Sequence, residues 1–141
     1  MKQYNQQLYF DLELNILSCL LQKPELMNGL ILEDEHFIKF HKLWIFMKVY
    51  YNRFHNFDLV LMTSVAKDKY RIIEYLKMMV EVEPAPSRFK EYQKQLIELY
   101  NESEKEKKII DDLFELANKL YVRDITITEF VERVNKITEV K

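Results

Sequence analysis

Apolar residues recur at intervals of three and four along most of the chain, which is the spacing of one face of an α-helix. The first stripe predicts a helix from Asp11 to Gln22, and its apolar side comprises Leu12, Ile16, Leu17, Leu20 and Leu21. A shorter second helix is predicted next, because Pro24 suits a first helical position and Gly29 suits a C-cap.

The stretch "EDEHFIKFHKLWIFMKVYY" predicts a longer helix with an aromatic face. Asp34 is a suitable N-cap, and apolar residues from Phe37 to Tyr51 return at three and four positions over about four turns. Asp58 is predicted to cap a short helix after it, and Asp68 to begin the next one. That next helix is expected to turn five apolar residues inward: Ile72, Ile73, Leu76, Met79 and Val80.

The clearest break in the helical pattern is "EVEPAPSRF", where two prolines exclude helix and Ser87 can cap the helix after them. A long apolar pattern then runs from Phe89 to Leu120, interrupted by "NESEKEKK", which is predicted to be a solvated turn or helix face. Thr126 and Glu129 have the spacing of a capping box at the start of a last helix.

These elements predict an all-α fold. Residues 1–100 are expected to form a compact helical bundle, and residues 101–141 a C-terminal antiparallel helical hairpin. Composition agrees, because one glycine and three prolines in 141 residues are too few for a turn-rich β protein. A hydrophobic fraction of 48% is enough for a core and does not suit a disordered chain.

Charge and targeting signals narrow the class of protein further. The formal net charge of −2 offers no general attraction for phosphate backbones, so direct nucleic-acid binding is expected to be weak or absent. The N-terminal segment "MKQYNQQLYFDLEL" is polar and then acidic, unlike a signal peptide. The longest apolar run, "ILSCLL", is too short to span a bilayer. We therefore expect a soluble cytoplasmic protein.

No constellation for catalysis, metal binding or cofactor binding emerges from the sequence. The phosphate-binding pattern G-x-x-x-x-G-K-[ST] is absent, and a single glycine could not build it. His36 and His41 are five positions apart, whereas zinc pairs on helices favour three or four. Cys19, the only cysteine, lies within an apolar stripe and is expected to be a buried thiol rather than a nucleophile. We expect no enzyme activity, no cofactor and no metal.

The predicted hairpin has apolar residues on more than one face. They comprise Ile109, Ile110, Leu113, Phe114, Leu116, Leu120 and Tyr121 on the first arm, and Phe130, Val134 and Ile137 on the second. The simpler interpretation is packing between the two arms and the bundle. The functional interpretation is self-association through the hairpin, because so wide an apolar surface leaves side chains to be covered by a second copy or a partner.

The order of these landmarks resembles the N-terminal domain of DnaB-type hexameric replicative helicases. The similar segments are "DLELNILSCLLQKPELM", "EDEHF", "HKLWIF", "FDLVLMTSVA", the Tyr75-Leu76 pair and "EPAPSRFKEYQKQL". The resemblance covers nearly all of the chain but not the ATPase that comes next in the family. It implies a non-catalytic domain that dimerises through its hairpin, forms a collar of dimers, and docks primase or a helicase loader.

The resemblance also implies where partners bind. It makes Asp11, Tyr75, Ile110, Leu113 and Leu116 candidates for a partner or dimer surface. The apolar stripes add three more candidates to that surface: Leu120, Phe130 and Val134. Two of these residues have a second, structural interpretation, in which Asp11 caps a helix and Tyr75 is a core aromatic.

Three versions of the function stay open at this point. The chain is either a collar domain of a helicase, or a stand-alone phage or mobile-element protein that mimics this domain to load, recruit or inhibit a helicase. The third version, direct binding of single-stranded DNA, requires a basic groove. The Lys and Arg residues of this chain are instead dispersed among acids.

Overall fold

The computed structural model describes residues 3–67 and 71–139, and all regular structure within these ranges is helical. The α-helices are α1 (Gln3–Gln22), α2 (His41–Phe54), α3 (Leu59–Ala66), α4 (Ile72–Glu81), α5 (Phe89–Tyr121) and α6 (Ile127–Glu139). Short 3-10 helices occupy Pro24–Gly29, Asp34–His36 and Pro86–Arg88. The predicted all-α fold class is confirmed. Residue contacts divide the chain into two compact units, Met1–Leu99 and Tyr100–Lys141.

Helix α1 begins at Gln3, well before the predicted start at Asp11. The reason is that Tyr9 is fully buried and extends the inner face formed by Leu12 and Ile16, so the apolar stripe starts earlier than the leucines suggest. Asp11 therefore lies in the middle of the helix and is exposed. Its interpretation as an N-cap is wrong.

Helix α2 begins at His41, later than the predicted helix over residues 37–51. Phe37 and Phe40 precede the helix and are buried in the core, and the Phe37 ring stacks on Trp44 at 4.6 Å between centroids. Asp34 does not cap this helix. Its carboxylate instead accepts hydrogen bonds from Trp44 Nε1 at 2.8 Å and Lys48 Nζ at 3.0 Å, which fixes the preceding turn against α2.

A buried carboxylate explains the delayed start of α2. Glu13 on α1 is completely inaccessible to solvent and accepts hydrogen bonds from the backbone N–H groups of Lys39 and Phe40. These N–H groups lie just before the first turn of α2, where a helix leaves donors without intrahelical partners. Burial raises the pKa of Glu13 to about 7, while the backbone N–H groups act in the opposite direction.

The next two helices complete the inner face of the first unit. Asp58 caps α3 as predicted, accepting a hydrogen bond from the Leu61 backbone N–H at 3.1 Å. The predicted start of the following helix at Asp68 lies outside the described residues, and α4 begins at Ile72. Its residues Ile72, Leu76 and Met79 are buried, Ile73 is half-buried, and Val80 is exposed, so the inward placement of Val80 is wrong.

A buried glutamine joins α5 to the loop after the first 3-10 helix. Gln93 accepts a hydrogen bond from the Ile31 backbone N–H at 2.8 Å and donates one to the Gly29 carbonyl at 3.3 Å. Gly29 is the last residue of that 3-10 helix and has no positive φ, so it is not the left-handed C-cap that the sequence suggested.

The second unit contains the remainder of α5, a tight turn and α6. The segment "NESEKEKK" is helical throughout, so α5 runs to Tyr121 without interruption. Arg123 in the turn has a φ of 63°. The predicted capping box is confirmed, because the Glu129 N–H donates to Thr126 Oγ1 at 3.1 Å and the Thr126 N–H donates to Glu129 Oε1 at 3.4 Å.

None of the helices in residues 3–67 and 71–139 combines the length and the apolar character needed to cross a membrane.

Candidate functional site

The second unit carries a line of exposed apolar side chains on α5. Ile110, Phe114 and Tyr121 are 52%, 71% and 86% exposed, and Ala117 between them is exposed as well. Intervals of four, three and four positions place these residues on one helix face. We call these four residues the hairpin stripe. Large apolar side chains aligned on one exposed face are typical of a binding surface.

The hairpin stripe is distinct from the covered face of the same helix. Leu116 is 6% exposed, and Leu113 and Leu120 are half-buried. These leucines lie about 100° around the helix from the stripe. Of the predicted site residues on this arm, Ile110 is therefore exposed for contact, whereas Leu113, Leu116 and Leu120 face inward.

Helix α6 shows the same division between covered and exposed apolar residues. The predicted site residues Phe130 and Val134 are half-buried. Ile127 and Val131, one turn apart, are exposed. Ile137, near the end of α6, lines a cavity of about 500 Å³ together with Ile109 of α5, as expected for an antiparallel hairpin.

The side chains beside the hairpin stripe carry both signs of charge. Lys107 and Asp111 are exposed next to it, whereas the ion pair between Lys119 and Glu115, at 3.5 Å, lies on the opposite side of the helix. A polar rim around an apolar centre is the usual anatomy of a protein–protein interface. A rim with both signs of charge can pair with a second copy of itself in a two-fold arrangement.

The two predicted site residues of the first unit have different environments. Asp11 is exposed on α1, and its Oδ1 accepts a hydrogen bond from Gln7 Nε2 at 3.0 Å. Tyr75 on α4 is half-buried, with its ring edge-to-face against Phe40 at 5.1 Å and beneath the Arg71 guanidinium at 5.6 Å. Tyr75 thus packs between Phe40 of the core and the Arg71 guanidinium, and its side chain is only partly accessible.

The cysteine and histidine residues that were weighed as candidates for catalysis or metal binding lie in environments that suit a structural role. Cys19 is fully buried, as predicted, and burial raises the pKa of its thiol to about 11, so the thiolate is disfavoured. His36 is buried, and its Nδ1 accepts a hydrogen bond from the Glu33 backbone N–H at 2.9 Å. Within residues 3–67 and 71–139, no group of three or more His, Cys, Asp or Glu side chains could hold a metal ion.

Sequence reasoning identified part of this surface. It recognised that apolar residues encircle α5, but it selected Leu113, Leu116 and Leu120 rather than Phe114 and Tyr121. The sequence does show two interleaved apolar stripes on α5. Because only one stripe of a helix can face inward, the other could have been recognised as exposed. Glu13 was missed entirely, although its position among the leucines of α1 places it on the buried face.

Comparisons with known proteins add no support to the resemblance to the helicase domain, which is based on the sequence landmarks alone. No protein-family model matches the chain. No curated protein and no solved structure matches it.

Proposed function

We propose that this chain is a non-catalytic interaction module of DNA replication that self-associates through its C-terminal hairpin. The observation that carries the proposal is the hairpin stripe, where Ile110, Phe114 and Tyr121 lie exposed on one face of α5. The stripe supports a binding role because it remains uncovered while the neighbouring face with Leu116 is packed.

Apolar burial is the expected source of binding energy. Fully burying a side chain of this size contributes roughly 1.5–3 kcal/mol. In a two-fold dimer each stripe residue is buried twice, once in each copy. The charged rim, including Lys107 and Asp111, then sets the relative orientation of the two copies rather than the affinity.

The replication context is inferred from the resemblance to the collar domain of DnaB-type helicases. In that family the hairpin forms dimers, and the collar docks primase and contributes to loader contacts. Our proposed partners are accordingly a primase, a replicative helicase or a helicase loader. Asp11 and Tyr75, which are accessible on the first unit, are the residues proposed to contact that partner.

Pairwise titration with purified replication proteins tests this proposal. The chain is mixed with the helicase, primase and loader of its source cell or host, and binding is followed by calorimetry. We expect saturable binding to at least one of them, weakened at least about tenfold by Tyr75→Ala. Tyr92→Ala, at another half-buried tyrosine, serves as the control. Absence of binding to all three proteins would overturn the replication role, whatever the oligomeric state.

A further inference from the structure

The hairpin stripe is flanked by opposite charges at its two ends. Lys107 lies three positions before Ile110, and Asp124 lies three positions after Tyr121. Both of these charged side chains are exposed. From Lys107 to Asp124 the intervals are therefore three, four, three, four and three, which is the same series in either direction along the chain.

The turn after α5 holds Asp124 close to the end of the hairpin stripe, although the helix itself ends at Tyr121. The Asp124 backbone N–H donates to the Lys119 carbonyl at 2.9 Å, and the Arg123 N–H donates to the Leu120 carbonyl at 3.0 Å. Arg123 has the left-handed φ of 63° that this type of C-terminal cap requires. The position of Asp124 relative to the last turn of α5 is therefore fixed by backbone hydrogen bonds.

Neither of these two charges is paired inside the hairpin. In the part of the chain that the structure describes, no ion pair involves Lys107 or Asp124. Exposed charges at the rim of an apolar surface favour a partner that presents opposite charges at the matching places. The partner of the hairpin stripe is therefore expected to carry an anion opposite Lys107 and a cation opposite Asp124.

A second copy of the chain meets both requirements when its α5 runs antiparallel to the first. In a two-fold pair, residue i of one copy contacts residue j of the other, and residue j contacts residue i. Because the intervals are the same in both directions, antiparallel alignment places Ile110 opposite Tyr121 of the other copy. It also places Phe114 opposite Ala117, so a large ring packs against a small side chain. The charged residues at the two ends are then opposite each other as well.

We propose that the hairpin stripe binds a second copy of the chain in antiparallel orientation, with Lys107 of each copy facing Asp124 of the other. This orientation rests on the self-association proposed above and defines its alignment. The paired segments span about 26 Å of helix, and the two ion pairs at their ends are equivalent by symmetry. Apolar burial supplies the affinity, and the ion pairs select the orientation.

Charge distinguishes this arrangement from the alternatives. In a parallel two-fold pair each residue meets its own counterpart, so Lys107 would face Lys107 and Asp124 would face Asp124, which is unfavourable. A helix of a different protein would have to match both the spacing and the reversed charges. A second copy supplies both by symmetry.

Charge reversal followed by sedimentation equilibrium tests the orientation. Lys107→Asp and Asp124→Lys each replace two attractive contacts with two repulsive ones, and each should raise the dissociation constant at least about fivefold at low salt. The double variant restores opposite charges at both ends and should associate within about twofold of wild type. Lys108→Asp makes the same charge change at an exposed lysine on the other side of α5 and should leave association unchanged.

Cross-linking gives an independent measurement of the same orientation. Copies that carry Lys107→Cys are mixed with copies that carry Asp124→Cys and treated with a short bismaleimide. We expect cross-linked dimers in the mixture and none in either variant alone, because like positions are about 26 Å apart in the antiparallel pair. Cys19 is buried and does not compete for the reagent.

The outcomes separate the orientation from self-association itself. Rescue in the double variant, together with cross-linking only in the mixture, is the expected result. The orientation is overturned if wild type associates but the single reversals do not weaken it, if the double variant stays as weak as the single ones, or if either cysteine variant cross-links alone. A wild type that is monomeric at every concentration overturns self-association and the orientation together.

Discussion

Both carboxylate oxygens of Glu13 lie 3.1 Å from the backbone nitrogen of Lys39, twenty-six positions later in the chain. This contact anchors the segment before α2 to the middle of α1. Because the carboxylate is shielded from solvent, its protonation state affects the stability of the first unit.

Replacing Glu13 with glutamine is expected to change how stability depends on pH. The pKa of Glu13 is raised from 4.5 to about 7 in the folded chain, so its contribution to stability is fully present below 4.5 and is lost as pH rises through 7. The free energy of unfolding of wild type relative to Glu13→Gln should therefore fall by about 3 kcal/mol between about pH 4 and pH 8. Urea denaturation at both pH values measures it.

Glu91→Gln makes the same chemical change at an exposed carboxylate of α5 and serves as the control. Because Glu91 is exposed, its replacement should alter the pH dependence of stability less than Glu13→Gln does. A constant difference between wild type and Glu13→Gln at both pH values would contradict the assignment of a raised pKa to Glu13.

Asp34 is expected to stabilise the first unit chiefly through the indole of Trp44. Asp34→Ala removes the acceptor of the Trp44 N–H and should lower the free energy of unfolding by about 1–3 kcal/mol. Asp34→Asn retains a carbonyl acceptor and should lower the free energy of unfolding less than Asp34→Ala does. Lys48→Met removes only a half-exposed ion pair and should cost less than about 1 kcal/mol. Fluorescence of Trp44, the only tryptophan, reports unfolding; equal stability of all three variants would refute this ranking.

The capping box at the start of α6 is expected to set the local stability of the hairpin turn. Thr126→Ala removes the hydroxyl that accepts the Glu129 N–H and should destabilise α6 by about 1 kcal/mol. Thr126→Ser retains a hydroxyl and should resemble wild type. Hydrogen exchange of the first amides of α6 measures the effect, and unchanged protection in Thr126→Ala would show that the cap contributes nothing.

The fold class and most helices could be predicted because apolar periodicity dominates this sequence. The start of α1 at Gln3 could not be predicted, because the burial of Tyr9 depends on tertiary packing. The start of α2 could not be predicted either, because it depends on a hydrogen bond from the Phe40 N–H to Glu13, which lies on another helix. The pattern of residues around position 40 does not predict such a long-range hydrogen bond.

The hairpin stripe could also be predicted only in part. Periodicity identified two apolar faces on α5 but could not say which one the fold would cover. The sequence makes Leu113 a candidate for the dimer surface, so Leu113→Glu is one possible test of self-association. In the structure Leu113 is half-buried, so that substitution also perturbs internal packing. Phe114, exposed on the hairpin stripe, is the better site because a charge there leaves the internal packing of the hairpin intact.

The central claim is self-association through the hairpin stripe, and sedimentation equilibrium over a wide concentration range tests it most directly. Wild type should shift from monomer to dimer or a higher oligomer as concentration rises. Phe114→Glu should raise the dissociation constant at least about thirtyfold, because it replaces roughly 2 kcal/mol of apolar burial with a desolvated charge. Val80→Glu should sediment like wild type, and circular dichroism should show equal helicity in all three. A monomeric wild type at every concentration, or an unchanged association constant in Phe114→Glu, would contradict the claim.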